Sequence, residues 1–438
     1  MLKADAKGGS GIRAKKDIGN VIVLGFAIFA MFFGAGNLIF PPYLGLETGD
    51  QWPFGFLAFA AIECGMTMLS LLAAFRCEGG LGGIARHLGK PFSGLVVAVI
   101  ALCMGPLVVV PRTAATMYEL AIRPNFLGMP AWIPSAIYFI LVALLCIRPT
   151  KLAGIVGKAL APVLMLSLAI LMYKAFATPL GEPRNIEDFS GVLKTGLDAG
   201  YQTMDMMGAL LLSVVVLGMA RQQGYESGGK RLAIAGAACL IASLALFLVY
   251  AALTYLGASA SQIYSTRLDR AELLLALAQM LLPSLGLPVM ALIVTSACVT
   301  TAIGFISASA QCFAQLSGGR LKYVPLVVAA CALSFFISTL GISSIIDYAA
   351  PLLELVYPAI ITLVLLSFFD GCIRREGVYR GAALMAFLTA ALTLIDRLVP
   401  ASLGTDALPL ADIGLQWLFP AALGGAAGGL LSQTKGMM

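Results

Sequence analysis

Long runs without a single charged residue dominate the hydrophobic pattern of this chain. Ile18 to Leu46, Leu232 to Thr266 and Leu273 to Leu316 each lack Asp, Glu, Lys and Arg. About 20 apolar residues span the hydrocarbon layer as a helix, and only helices or closed barrels satisfy their backbone there. The period-two alternation of barrel strands is absent, so the pattern predicts an all-α polytopic membrane protein. Uncharged segments bounded by charged or Pro/Gly-rich loops predict twelve transmembrane helices. They start near Gly19, Trp52, Phe92, Trp132, Leu152, Thr195, Leu232, Ser284, Tyr323, Ser344, Tyr379 and Asp412. The eleventh is short, Gly381 to Ile395, and a surface helix is expected over Asp269 to Leu282.

Composition agrees with that pattern. Of 438 residues 60% are apolar and 11% charged, with a mean hydropathy of +0.94, too little charge to cover a soluble domain of this size. The net charge of +6 follows from topology rather than nucleic-acid binding. With both termini in the cytoplasm, 20 of the 28 Lys and Arg fall on the inside, the side on which basic residues are retained. The expected location is an inner membrane, with the lipid bilayer as partner. The basic start is followed by an apolar run too long for a secretory signal and without a cleavage site, and reads as a cytoplasmic tail over residues 1–18.

Enzyme chemistry is missing. The lone His87 belongs to no triad or H-E-x-x-H pattern. Gly83 to Pro91 has the wrong spacing for a phosphate loop, and nine scattered Cys form no C-x-x-C. No cofactor motif is present, so energy coupling must come from an ion gradient or a partner subunit.

Two crossings carry signs of a break near the bilayer centre. In the first, Gly34-Ala35-Gly36-Asn37 lies about sixteen residues in, close to the midplane at roughly 1.5 Å per residue. Glycine destabilises a helix interior by up to about 1 kcal/mol relative to Ala, and Asn prefers caps. In the sixth, Gly200-Tyr201-Gln202-Thr203-Met204-Asp205 sets polar and ionisable groups in an apolar crossing, which by default marks function. Asp205 has a plainer reading as the N-cap of a second half-helix starting at Met206. An unwound segment offers carbonyls to a cation and amide N–H groups to a carboxylate, which suits a zwitterion beside a sodium ion. Small-residue clusters also serve simple helix packing. Corresponding breaks in spans one and six imply a five-helix unit repeated in inverted orientation. The first unit covers 19–178, the second 190–370, and residues 378–434 form two accessory helices.

Glu63 in span two and Glu354 in span ten are buried acids without an evident partner, and Arg112 in span three is a candidate to neutralise one of them. Structural pairing, gating and proton coupling all remain open for these three. Gly424-Gly425-Ala426-Ala427-Gly428-Gly429 provides two G-x-x-x-G faces for helix association, within one chain or between two.

The stretch from Phe26 to Pro42, with Gly34-Ala35-Gly36-Asn37 at its heart, resembles the signature of the bacterial branched-chain amino acid carriers of the BrnQ type. These are leucine/isoleucine/valine:cation symporters. Gly105-Pro106 through Pro111-Arg112-Thr113, Gly200-Tyr201 through Met204-Asp205, and Ala297 to Gly304 resemble the family in the same order. The resemblance implies a leucine-transporter-like 5+5 inverted repeat plus two extra helices. It also implies a sodium site formed by the carbonyls of Ala30, Phe33 and Ala297 with the hydroxyls of Thr300 and Thr301. Positions i, i+3 and i+4 do share a helix face, although a membrane Thr often bonds its own i−4 carbonyl. The expected activity is symport of leucine, isoleucine or valine with Na+ by alternating access. Gly34, Ala35, Gly36, Asn37, Tyr201, Gln202, Thr203 and Asp205 would surround the substrate. Proton coupling through Asp205 or Glu354 is the alternative, and a channel or membrane receptor the rival of another class. Oligomeric state is left open.

Overall fold

A computed structural model describes residues 5–77, 80–126, 128–147, 152–225, 228–373, 375–398 and 404–434. Among them there is no strand. The first crossing is a pair of helices, α1 (Asp5–Phe32) and α2 (Ala35–Thr48). The next contains α3 (Trp52–Ala60), a π turn (Ala61–Met66) and α4 (Thr67–Arg76). A short α5 (Leu81–Ala85) precedes α6 (Lys90–Leu102), which passes through a π turn at Cys103–Leu107 into α7 (Val109–Met117). Then come α8 (Trp132–Ile147) and α9 (Leu152–Ala177). A second broken pair, α10 (Phe189–Thr203) and α11 (Asp205–Gln222), leads to the long α12 (Gly228–Ser259). The remainder comprises α13 (Arg270–Leu281), α14 (Gly286–Leu316), α15 (Tyr323–Ser338), α16 (Ile342–Ser367), α17 (Glu376–Leu398) and α18 (Leu418–Thr434).

Seven helical stretches among the described residues are long and apolar enough to cross a bilayer, and five shorter apolar helices accompany them. The burial pattern is that of a protein in lipid. On α12, Leu240, Leu244 and Leu248 repeat every four residues and stay exposed, while Cys239, Ala242, Leu246 and Val249 are buried. That apolar outer stripe faces hydrocarbon instead of water. The polar side chains that water would normally claim lie inside: Asn37, Glu63, Arg112, Thr203 and Asp205 are all buried.

Local chemistry sets several helix ends. Asp188 caps α10 by accepting from the Gly191 amide at 2.9 Å and from Ser190 Oγ at 3.0 Å. Those bonds hold its carboxyl below the usual range, the Gly191 amide foremost. Asp269 caps α13 through the Ala271 amide at 2.9 Å. Two expectations change at the end of the chain. The short eleventh span extends to 23 residues, and Arg397 in its last turn pairs with Glu354 on α16 at 2.8 Å. The last helix begins at Leu418 rather than near Asp412. A 3₁₀ turn over Ala411–Ile413 and a left-handed Gly414 come first.

Small residues decide which helices touch. A Cβ on Gly257 of α12 would fall 1.8 Å from the Pro42 carbonyl oxygen, and one on Gly45 of α2 would fall 1.9 Å from that of Thr254. These two helices therefore meet backbone to backbone. The α17–α18 pair is built the same way. Gly381 lies so close to α18 that a Cβ would sit 2.1 Å from the Gly424 oxygen, and at Gly377 the same holds for Gly428 at 2.2 Å. The glycine face of the last helix is thus occupied within the chain.

Gly381→Val should force α17 from α18. Overpacking costs about 1–3 kcal/mol, and a thermal-unfolding midpoint in detergent equal to that of the parent would show that the contact is not tight.

Candidate functional site

The two breaks meet in the interior, and each solves a backbone problem. The last four carbonyls of a helix have no partner within it, and lipid supplies none. At the end of α10 all four are satisfied from close by. Thr203 Oγ1 donates to the Gly200 oxygen at 2.7 Å, and the Met204 amide donates to Tyr201 at 3.2 Å. Arg112 of α7 donates through Nη1 to the Gln202 oxygen at 2.7 Å and through Nη2 to that of Thr203 at 3.3 Å. Its positive charge also suits a helix C-terminus. The chain then turns through Met204 with φ 67° and ψ 9°, a left-handed conformation that costs a non-glycine residue roughly 1–2 kcal/mol. Asp205 opens α11 as its first residue, and Met204 occupies the N-cap without a side-chain bond. The plain reading of Asp205 as an N-cap is thereby corrected: its carboxylate reaches across to α2.

In the first crossing the Phe33 amide closes the last regular bond, to Phe29 at 2.8 Å. Gly34 is extended (φ −114°, ψ −168°) and α2 starts at Ala35. Close approach explains both glycines. A Cβ on Gly34 would meet Thr301 Oγ1 at 3.1 Å, and one on Gly36 would meet Arg112 Nη2 at 2.6 Å. The Arg112 guanidinium therefore lies between the end of α10 and the amide-rich start of α2.

Asn37 ties the two breaks together. Its Nδ2 lies 3.0 Å from the Phe32 oxygen, 3.0 Å from Glu63 Oε1 and 2.8 Å from Asp205 Oδ2. It also contacts the Tyr250 hydroxyl of α12. Glu63 Oε2 also contacts the Thr203 hydroxyl. The π turn that contains Glu63 adds width to its helix, a feature often found at functional sites. Of the residues singled out from the sequence, Gly34, Gly36, Asn37, Glu63, Arg112, Gln202, Thr203 and Asp205 converge here. Ala35 contributes backbone to α2. Tyr250 was not among them; nothing distinguished it from other polar residues of an apolar span. Tyr201 turns its ring to Tyr357 of α16, with centroids 4.9 Å apart. Glu354 stands apart with Arg397 on a cavity of about 610 Å³ that Tyr201 and Asp198 also line.

Buried polar atoms normally have partners. Around the breaks, Arg112 Nε, Gln202 Oε1 and the Tyr357 hydroxyl have none among the described residues. A donor of fixed positive charge, an amide oxygen and a phenol thus lie unpaired next to two helix ends among the described residues. On α14, Thr300 Oγ1 lies 3.0 Å from the Ser296 oxygen, its i−4 carbonyl, and 3.3 Å from the Ala30 oxygen. It also lies 3.0 Å from the Ala297 oxygen. Thr301 Oγ1 is buried, has no partner among the described residues and faces Gly34. The back-bond common to membrane threonines thus accounts for Thr300 and leaves Thr301 without explanation.

Two solved structures that share this fold are transporters. A nucleobase-cation-symport-1 family transporter in a closed conformation matches with a TM-score of 0.64 at 11% identity, over 95% of this chain and 93% of that one. A Na+-coupled sialic acid symporter matches with a TM-score of 0.54 at 16% identity, over 94% and 90%. The fold is that of a membrane transporter. Residues 17–435 match the family model for branched-chain amino acid transport proteins, and the chain belongs to that family. It is 34% identical to the branched-chain amino acid transport system 3 carrier protein of Pseudomonas aeruginosa, covering 95% of this chain and 97% of that one. Against the Escherichia coli branched-chain amino acid permease BrnQ the identity is 33%, over 92% and 93%. These relatives are carriers, not enzymes, in agreement with the missing catalytic groups.

Arg112→Lys keeps the charge and loses the planar fork that reaches two carbonyls. A hydrogen bond to a charged group is worth roughly 1.5–3 kcal/mol, so the initial rate of leucine uptake into proteoliposomes should fall by about tenfold or more. An unchanged rate at equal protein content would remove Arg112 from the site.

Proposed function

We propose that the protein imports leucine, isoleucine and valine together with Na+ by alternating access across the bacterial inner membrane. The observation that carries the sodium reading is the unpartnered Thr301 hydroxyl at the open end of α1. The oxygen atoms of Ala30, Phe33, Ala297, Thr300 and Thr301 would hold the ion. Hard cations favour such a neutral oxygen set. Gln202, Arg112 and the starts of α2 and α11 would hold the amino acid: its carboxylate toward Gly36, Asn37 and Arg112, its ammonium toward carbonyls near Gly34 and the second break. Apolar residues lining the interior would take the branched side chain.

Alternating access then follows from the breaks. Sodium stabilises the first crossing against α14, since the ion ties carbonyls of one to hydroxyls of the other. A shift of α1 relative to α14 separates these ligands and releases ion and substrate to the other side. The seven long and five shorter apolar helices support twelve crossings, arranged as two inverted units over 19–178 and 190–370 plus accessory helices over 378–434. Both termini would then be cytoplasmic.

Thr301→Ala should raise the sodium concentration for half-maximal leucine uptake by about tenfold, the equivalent of about 1.4 kcal/mol. Unchanged sodium activation in a variant that still transports would rule out this ligand set.

A further inference from the structure

Glu63 and Asp205 are 1% and 4% exposed and both lie within hydrogen-bonding distance of one atom, Asn37 Nδ2. That nitrogen carries two hydrogens and has four oxygens around it: Phe32 O, Glu63 Oε1, Asp205 Oδ2 and the Tyr250 hydroxyl. The Thr203 hydroxyl has a single hydrogen, yet it meets both the Gly200 oxygen and Glu63 Oε2; with that hydrogen on Gly200, a carboxylic proton on Glu63 supplies the one the second contact lacks. Turning the amide over would aim its oxygen at two carboxylates and a carbonyl, so the network itself sets its orientation.

Charge counting leads to the same place. The ionisable groups facing the pair are Arg112 from α7, Tyr250 from α12, Tyr357 from α16 and Cys64 beside Glu63. Arg112 is the one fixed cation among them. Two carboxylates against one guanidinium leave a net negative charge in a low-dielectric interior, which is costly unless neutralised. One proton makes the group neutral.

A third observation concerns the space beside the pair. A cavity of about 10 Å³, where Glu63, Thr67 and Ser243 are the polar members of a mostly apolar lining, lies between α1, the Glu63 helix and α12. That is about the room one water needs. Thr67 is 5% exposed and its hydroxyl has no partner among the described residues. Three residues further along α4, on the same helix face, the Ser70 hydroxyl is also buried and unpaired.

We propose that Glu63 and Asp205 hold one shared proton that moves with the amino acid, and that Thr67 and a water in the adjoining cavity pass it along α4. This rests on the transporter reading above and adds a second coupling site to the sodium site. When the crossings separate, Asn37 draws away from one carboxyl. The proton then leaves from the Glu63 oxygen to the water, and the pair is recharged from the opposite side.

Infrared difference spectroscopy on the purified full-length protein reads the proton directly. The parent should show the C=O stretch of a protonated buried carboxyl at neutral pH, and Glu63→Gln and Asp205→Asn should each lose it. Absence of the band in the parent, or its persistence in both variants, overturns the proposal. In proteoliposomes with a trapped pH dye and equal sodium on both sides, added leucine should acidify the lumen. Thr67→Val should slow that acidification several-fold while keeping the infrared band. Leucine accumulation without acidification in the parent also overturns it. If labelled leucine fails to enter at all, the transporter reading falls instead, and the infrared band alone decides whether the pair shares a proton.

Discussion

Everything at the centre of this protein follows from one constraint: a backbone carbonyl in the middle of a bilayer cannot turn to water. Breaking α10 at Thr203 frees four carbonyls, and the structure returns a donor to each, two of them from a single guanidinium. Arg112 could not be buried in an apolar interior without such acceptors, and α10 could not end there without such donors. The break and the arginine require one another. Gly36 completes the arrangement, since any side chain at that position would collide with the guanidinium.

The same economy links the breaks through Asn37. One amide holds the loose end of α1, the acid of the π turn and the first residue of α11. A displacement of either half-helix is therefore felt at both carboxyls. That is the physical basis for coupling in the proposed cycle: the groups that bind are the groups that move, and no longer pathway has to be invoked. Thr301, on the neighbouring α14, stands against Gly34 at the hinge of the first crossing, where an ion would have the most leverage over the break.

Much of the site was legible in the residues. Gly34 to Asn37 signals a weak point because helix propensity and lipid both disfavour it, and Asp205 stands out because a carboxylate in a crossing needs a reason. Arg112 was visible as an isolated charge, although its pairing was not: its main partners are carbonyls, which carry no sequence signal. The π turn at Ala61–Met66 and the hydroxyl of Tyr250 were not legible. A π turn differs from α-helix by one inserted residue with no compositional mark, and a tyrosine among apolar residues reads equally well as packing. Glu354, as conspicuous as Glu63 in sequence, pairs with Arg397 and lines a cavity away from the breaks, a placement that hydropathy does not encode.

Hydropathy alone determined that this chain is helical and lives in a membrane, because twenty apolar residues leave the backbone no other way to satisfy itself in hydrocarbon. Glycine, asparagine and buried charge determined where its helices would be weak. Which weak points meet, and which polar atoms are left unpaired when they do, was decided by tertiary packing. Contacts such as Asn37 with Asp205 join residues 168 positions apart, and no local pattern in the chain encodes that distance.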